Sequence, residues 1–132
     1  MSAAENKQLM QDIFSELSKG NGKPFVESLA DDFCWTITGS TKWSRTYRGK
    51  EAVGAELLRP LFAQFADQYT NTANRFIAEG DSVVVERRGR VTTKSGKPYN
   101  NTYCWVSRVA DGKLQEPTEY LDTELVTAAL GR

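Results

Sequence analysis

One short segment near the middle of the chain places an arginine on a strand face that valines otherwise occupy. The segment VVVERRGRVTT, residues 83–93, has the composition of a β-strand. Because side chains alternate across a strand, Arg87 shares its face with Val83 and Val85, whereas the other face is charged and solvated. A buried charge without a partner costs several kcal/mol. Arg87 therefore either has a carboxylate partner or lies on a face that borders a wet cavity.

The residue types that remain for chemistry are few. The chain has no histidine, which excludes serine–histidine triads, Cys/His zinc sites and the usual general base. Cys34 and Cys104 lie far apart and have no metal-ligand spacing, so we expect two reduced thiols. Catalysis would depend on carboxylates, tyrosines, lysines, cysteines or water, with no cofactor and no metal site.

The elements that must position these residues begin with helices. Apolar spacing predicts a first helix at residues 4–19 and a short second helix at 24–30. Residues 39–49, GSTKWSRTYRG, are predicted as a loop before a third helix, which Pro60 should kink or interrupt. Asp122 is predicted to cap a last short helix, TELVTAAL.

Strands are predicted to fill most of the second half of the chain. Alternating residues predict an isolated strand near residues 33–38 and a meander of four strands, at 71–79, 82–93, 99–110 and 113–121. Helices followed by an antiparallel meander indicate an α+β fold, and the length indicates a single domain spanning residues 1–132.

A single sheet of about five strands is too large for these few helices to cover on both faces. It must either curl around the helices or give one face to another subunit. We take Tyr103, Trp105 and Val109 to form an uncovered apolar face, which favours a homodimer.

Charge and composition limit the class of partner and the location. The 17 Lys and Arg residues balance the 17 Asp and Glu residues, which argues against nucleic acid or an anionic membrane as partner. No apolar run reaches the ~20 residues that a membrane-spanning helix needs. The start, MSAAENKQ, carries no apolar signal-peptide segment, so a cytoplasmic protein is expected.

Several sequence motifs together resemble a known family. They are the strand after DDFCW, the helix entry YRGKEAV, the segments GDSVVVERRGR and SGKPYNNTYCWV, and the ending DGKLQEPTEYLDTEL. They resemble the nuclear-transport-factor-2-like superfamily, in particular its SnoaL-like, ketosteroid-isomerase-related branch. The resemblance implies a cone-shaped α+β barrel, in which a curved antiparallel sheet wraps around N-terminal helices. It also implies a pocket inside the cone, with Arg87 pointing into it, and a dimer through the outer face of the sheet.

Two catalytic sets of this superfamily are incomplete here. Ketosteroid isomerases use a carboxylate base after the first strand, but no acid lies between Asp32 and Glu51, and Phe14 stands where their tyrosine is expected. Limonene epoxide hydrolases use an Asp–Arg–Asp set. Its arginine falls on Arg87, but one aspartate falls on Gly89 and the other on Glu119.

The SnoaL-type cyclases need one acidic residue in the late strands and no metal, and Glu119 is the residue that the resemblance carries across. It would remove a proton next to a carbonyl and later return it. Arg87, Tyr103 or Tyr47 would steady the developing enolate. Alternatively, Arg87 and Glu119 form a purely structural ion pair that closes the cone and takes no part in catalysis.

The candidate ligand contacts are mainly aromatic. Trp35 is either a core residue or a ligand platform, whereas Trp43 and Tyr47 are expected at the cone mouth. The aromatic side chains of Trp35, Trp43, Phe62 and Phe65 could line the cone or fill it. A tight turn at Ser95-Gly96 would place Cys104 opposite Arg87, and a loop one residue longer would place Trp105 there. The full set of candidate ligand-binding residues is Trp35, Trp43, Tyr47, Phe62, Tyr103 and Cys104.

Two functions remain open. The first is a pocket protein for a small hydrophobic, oxygen-bearing molecule, possessing cofactor-free isomerase, cyclase or lyase activity through Glu119 and Arg87. The second is a binding or accessory module of the same fold without chemistry.

Overall fold

A computed structural model describes residues 2–132 of the chain. Its helices are α1 (Ala3–Leu17), α2 (Lys23–Glu27), α3 (Lys50–Ala52), α4 (Arg59–Phe62) and α5 (Thr123–Leu130), with a π-helical segment at Val53–Leu58 between α3 and α4. Ser2 and Glu5 form a capping box that satisfies free amides at the start of α1. Asp122 caps α5 as predicted, its carboxylate accepting from the Leu125 amide. None of the helices in the described residues is long and apolar enough to cross a membrane.

The third predicted helix is a composite of three pieces. α3 runs into the π-helical segment, α4 follows it directly at Arg59, and Pro60 is the second residue of α4. The predicted interruption at Pro60 is thus confirmed. Leu57 and Leu58, at the end of the π-helical segment, both face the interior of the molecule.

The sheet has six strands rather than five. They are β1 (Cys34–Ile37), β2 (Arg45–Arg48), β3 (Thr70–Glu79), β4 (Ser82–Arg90), β5 (Thr102–Ala110) and β6 (Lys113–Leu121), in the order β2-β1-β6-β5-β4-β3. The β2 strand lies in the segment predicted as a loop, where it pairs antiparallel with β1. The β1–β6 pair is parallel, so the curved sheet is mixed rather than wholly antiparallel. The predicted α+β cone is otherwise confirmed.

The register of β4 and β5 differs from both predicted alternatives. Arg87 lies opposite Tyr103, not Cys104 or Trp105. The connection between the two strands is centred on Ser95, as the Thr92–Pro98 bridge shows. Since a slip of one residue exchanges the two faces of a strand, Cys104 lies on the outer face opposite Glu86.

The apolar face of β5 is covered rather than open. Tyr103, Trp105 and Val109 are at most 4% exposed and point towards the helices, so the prediction that they form an uncovered face is wrong. The outer face instead exposes Val106 and Tyr120. Most core residues form one cluster between α1 and the sheet, and a smaller cluster packs around α5.

Candidate functional site

A cavity of about 360 Å³ lies between the inner face of the sheet and the helices. Its wall is largely aromatic and aliphatic, and Val26 and Phe62, both about half exposed, mark where it reaches the surface. The cone is therefore not filled by its aromatic side chains. The lining residues that matter for chemistry are Trp35, Trp43, Tyr69, Asn71, Arg87, Tyr99, Tyr103, Trp105 and Glu119.

A buried ion pair stands in the wall of this cavity. Arg87 Nη2 donates to Glu119 Oε1 at 2.9 Å, and both residues are 4% exposed. Trp105 Nε1 donates to the same oxygen at 2.7 Å. Three adjacent strands, β4, β5 and β6, supply these side chains. No residue in the range 2–132 donates a hydrogen bond to Glu119 Oε2, which leaves one carboxylate oxygen available to a ligand.

The Arg87 guanidinium is held from several sides. Its Nη1 donates to Asn71 Oδ1 on the neighbouring strand β3. Its central carbon lies 3.9 Å from the Tyr103 ring centroid and 4.6 Å from that of Trp105. These cation–π contacts and the hydrogen bonds fix the orientation of the guanidinium. Arg87 thus has a carboxylate partner, as its place among the valines required, and it also lines a cavity.

A pair of tyrosines adjoins the arginine. The hydroxyls of Tyr69 and Tyr103 are hydrogen-bonded at 2.7 Å. Gly89 makes room for them, because a Cβ there would lie 2.9 Å from the Tyr69 ring. Burial raises the pKa of both hydroxyls, and it raises the pKa of nearby Tyr99 to about 12. All three phenols therefore stay protonated at neutral pH and can donate hydrogen bonds.

The Glu119 carboxyl is tuned by opposing effects. Burial raises its pKa above the usual value, although the Arg87 charge and the hydrogen bond from Trp105 favour the ionised form. A carboxyl with a raised pKa is a stronger base once it is ionised and retains its proton closer to neutral pH. Such a group suits proton transfer to and from a bound molecule.

Most of the predicted site residues line the cavity. Glu119 and Arg87 do so together with Trp35, Trp43, Phe62 and Tyr103. Their contacts with a ligand stay predictions.

Two predicted ligand contacts are misplaced. Tyr47 is buried in the main core opposite Trp35 on the neighbouring strand. Its hydroxyl donates to the Trp43 carbonyl, so Tyr47 contacts residues that line the cavity but does not line it itself. Cys104 faces away from the cavity, and burial raises the pKa of its thiol, which makes it a poor nucleophile.

Six polar residues of the wall were not predicted, namely Thr41, Asp67, Gln68, Tyr69, Asn71 and Tyr99. Asn71 could have been found, because it is a polar residue on the inward face of a predicted strand, as Arg87 is. Tyr99 begins the strand predicted at residues 99–110 and shares its alternating face with Tyr103, so the same argument could have found it. Tyr69 lies outside every predicted strand, and no spacing pattern points to it.

Comparison with known proteins gives a family and a set of structural neighbours. The family model of the SnoaL-like domain matches residues 10–116. No curated protein sequence matches the chain. An NTF2-like protein from Burkholderia xenovorans LB400 is 26% identical over 98% of each chain, with a TM-score of 0.73.

Two further neighbours share the fold. A protein described as a SnoaL-like polyketide cyclase from Jannaschia sp. CCS1 is 19% identical, over 98% of this chain and 93% of that one, with a TM-score of 0.77. TerC, crystallised with polyporic acid, is 18% identical over 97% and 99%, with a TM-score of 0.80. Because the family model spans most of the sequence, this chain belongs to the SnoaL-like family of NTF2-like proteins, as its motifs predicted.

Proposed function

We propose that the cavity binds a small hydrophobic, oxygen-bearing molecule and that Glu119 acts on it as a general acid/base, without a cofactor. The reaction class is an isomerisation, a cyclisation or a lyase reaction. The observation that carries this proposal is the buried Arg87–Glu119 pair in the wall of a largely apolar cavity, with one carboxylate oxygen facing no donor from residues 2–132.

The chemistry begins with a proton next to a carbonyl of the ligand. Glu119 Oε2 takes that proton, and the electron pair of the C–H bond moves into an enolate. Arg87 and the protonated Tyr69–Tyr103 pair lie in the same wall and would stabilise the negative oxygen. The enolate carbon is then reprotonated, attacks a second carbonyl of the same molecule, or expels a leaving group. Glu119 returns the proton in each case.

The structural neighbours are compatible with such a ligand. One of them is described as a polyketide cyclase, and another was crystallised with polyporic acid. Because both are under 20% identical to this chain, they support the shared fold and no more. The choice of Glu119 rests on the residues of this chain alone.

The second candidate is a binding module without chemistry. Glu119 Oε1 accepts hydrogen bonds from both Arg87 and Trp105, which is the arrangement expected of a structural ion pair. In that case, Arg87 would orient a ligand and no turnover would exist.

A thermal-shift screen of small aromatic and alicyclic ketones, epoxides and hydroxy-acids tests the site first. A ligand at a hundredfold excess over its Kd stabilises the fold by about 2.7 kcal/mol. We expect a shift that Arg87→Ala reduces. With a ligand in hand, Glu119→Gln should abolish turnover and leave affinity nearly unchanged. Turnover that survives in Glu119→Gln would contradict the catalytic proposal, and a ligand without turnover in the wild type would favour the binding module.

We further propose that the chain acts as one domain in a homodimer formed through the outer face of the sheet. Ile77, Val106 and Tyr120 are exposed large hydrophobic residues on that face. The cavity lies on the opposite face, so such a dimer would leave it open.

A further inference from the structure

A second concave surface lies on the outer face of the sheet, apart from the cavity, and we call it the arginine cleft. Its volume is about 390 Å³. The residues that line it are Thr70, Thr72, Arg88, Gly89, Arg90 and Asn100. This lining contains two cationic side chains and no acidic one. The other groups are hydroxyls, an amide and the backbone at a glycine.

The two arginines stand side by side because of their spacing in β4. Arg88 and Arg90 are two residues apart, so their side chains leave the same face of the strand about 7 Å apart. Both side chains are exposed to solvent. On the neighbouring strand β3, Thr72 pairs with Arg88 and Thr70 pairs with Arg90. Each arginine therefore has a threonine side chain beside it at the base of the cleft.

The third side of the cleft is formed where the pairing of β4 with β5 becomes irregular. The last regular pair is Arg88 with Thr102. Beyond it, the Val91 amide donates to the side-chain oxygen Oδ1 of Asn100 at 3.2 Å. The Nδ2 group of Asn100 has no acceptor among residues 2–132, and it is not one of the buried polar atoms without a partner, so solvent reaches it. The backbone thus holds this amide in place with its N–H groups free to donate.

The positive charge of the cleft is not neutralised by the chain. Arg88 and Arg90 form no ion pair with any of residues 2–132. Of the acids nearest to them, Glu86 is bound to another arginine, and Asp67, beyond Arg90, accepts from a backbone amide. By contrast, three other exposed arginines each have a glutamate partner, in the pairs Arg45–Glu56, Arg75–Glu86 and Arg108–Glu116.

Two unpaired arginines in one concave surface differ from a single one on an open surface. An isolated exposed arginine, such as Arg59 on α4, is solvated at little cost. Two guanidinium groups side by side repel each other, and a cleft lined by one sign of charge concentrates their field and attracts a counter-ion. A bound anion would relieve the repulsion between Arg88 and Arg90.

The donors of the cleft fit one class of anion. Two guanidinium groups match a dianion in charge and exceed a single carboxylate. The donors come from β3, from β4 and from the segment before β5, so they approach a bound group from three directions. A phosphate or sulfate group offers three or more acceptor oxygens in a tetrahedral arrangement, whereas a carboxylate offers two in one plane. Guanidinium groups bind such oxyanions with paired hydrogen bonds.

We infer that the arginine cleft binds a phosphate or sulfate group, held by Arg88, Arg90 and the amide of Asn100. The group is either a free inorganic anion or part of a small phosphorylated or sulfated molecule. This inference does not rest on the proposed function of the cavity, which lies on the opposite face of the sheet. Val84, the partner of Val106, lies four residues before Arg88, about 13 Å along β4. A dimer centred on Val106 would therefore leave the cleft at its edge.

An NMR titration of the ¹⁵N-labelled full chain at low ionic strength tests the site. The probes are inorganic phosphate, inorganic sulfate and glucose 6-phosphate, at a pH above the second pKa of phosphate. Sodium chloride at the same ionic strength and glucose are the controls. We expect saturable shifts of the backbone amides of Thr72, Arg88 and Arg90 and of the side-chain amide of Asn100. These shifts should weaken as salt is added, because exposed charges are screened.

Replacement of either arginine tests the source of the affinity. Arg88→Gln and Arg90→Gln should each weaken phosphate binding about tenfold or more, the range expected for the loss of a hydrogen bond to a charged group. Arg59→Gln is the matched control. It removes the same charge from an exposed arginine that lies outside the cleft and has no ion pair with residues 2–132, so it should leave the affinity unchanged.

A charge change at Asn100 separates loss of binding from loss of the fold. Asn100→Asp keeps the oxygen that accepts from the Val91 amide, but it replaces the donor with a negative charge next to the arginines. Phosphate binding should therefore disappear. The melting temperature should stay the same or rise, because the new carboxylate neutralises the repulsion in the cleft.

Each outcome of the titration supports the site or overturns it. Tighter binding of glucose 6-phosphate than of phosphate assigns the cleft to a small organic phosphate, and equal binding assigns it to the free anion. Shifts that sodium chloride reproduces at equal ionic strength overturn the inference. So do shifts that Arg88→Gln, Arg90→Gln and Asn100→Asp all leave unchanged, and so does an absence of saturable shifts with all three probes.

Discussion

At the scale of single residues, the site depends on a carboxylate whose burial and ion pair act in opposite directions. Burial raises the pKa of Glu119, whereas Arg87 lowers it, and burial is the larger effect. The raised pKa means that the folded protein binds the Glu119 proton more tightly than the unfolded chain does. The stability that Glu119 contributes is therefore present below the unfolded pKa and is lost as the pH rises through the folded pKa.

The first prediction concerns the titration of Glu119. In a ¹³C NMR titration of the side-chain carboxyl, the midpoint should lie above 4.5, the ordinary value for glutamate. Because a general base must be ionised, activity should fall as the pH is lowered through that same midpoint. A midpoint at or below 4.5 would mean that Arg87 and Trp105 outweigh burial, and Glu119 would then be a structural partner of Arg87.

The second prediction concerns the stability that the ion pair provides. Glu119→Ala leaves the Arg87 charge buried without a counter-charge and should cost about 3–5 kcal/mol in urea unfolding. Glu119→Gln should cost clearly less, because an amide oxygen can still accept from Arg87 and Trp105. A double variant, Arg87→Met with Glu119→Leu, removes both charges and should recover much of the loss. Equal losses for the Ala and Gln variants would show that the pair does not depend on these hydrogen bonds.

The third prediction concerns the close approach of Tyr69 to the backbone at Gly89. A Cβ at Gly89 would lie 2.9 Å from Tyr69 and 3.1 Å from Tyr103. Gly89→Ala should therefore displace the hydroxyl pair and destabilise the fold by about 1–3 kcal/mol. Gly54→Ala is the matched control. Apart from its chain neighbours and the backbone of its own helix, no atom in the described residues lies within 4 Å of a Cβ there, so the change should be neutral or slightly stabilising. Similar melting temperatures for both variants would contradict the crowding at Gly89.

At the scale of elements, the sequence predicted most helices and strands but not their exact pairing. Apolar periodicity located α1, the composite helix and the four long strands. The β2 strand was missed because RTYR has no apolar alternation, and its extended shape comes from pairing with β1. The β4–β5 register was missed because it depends on one residue in the turn, which alternation within each strand does not determine.

The same limits decided which site residues could be predicted. Arg87 was found from its place on a valine face, and Glu119 from the family motif that surrounds it. Tyr47 was misplaced because a loop was expected where β2 turns its side chain into the core. Cys104 was misplaced by the register alone.

The fourth prediction concerns α5, which closes one side of the cavity with Val126 and Leu130. Asp122 caps this helix, and Asp122→Ala should lower stability by about 1 kcal/mol. Amide exchange in α5 should accelerate more than in α1. Asp122→Asn keeps an acceptor at the cap and should have a smaller effect. Uniform acceleration across both helices would indicate that α5 does not open separately.

At the scale of the whole molecule, the two faces of the sheet have different tasks. The inner face encloses the cavity, so the outer face is free to meet another chain. A row of partly exposed residues crosses the outer face from strand to strand, formed by Ile77, Val84, Val106 and Thr118. The charges beside this row pair within the chain, as in Arg75–Glu86 and Arg108–Glu116. Such a surface suits a self-complementary contact better than a strongly charged partner.

The fifth prediction follows from the central position of Val106 in that row. Val106→Glu would place a charge in the middle of the contact, and at a two-fold axis it would oppose its own copy. Sedimentation velocity should therefore show a dimer for the wild type and a monomer for this variant. Ser15→Glu adds the same charge on an exposed position of α1 and should remain a dimer. Because residues of one chain line the cavity, the monomeric variant should retain its affinity for a ligand found in the thermal-shift screen. A wild type that sediments as a monomer at every concentration would refute the dimer, whereas a Val106→Glu protein that stays dimeric would assign the contact to another surface.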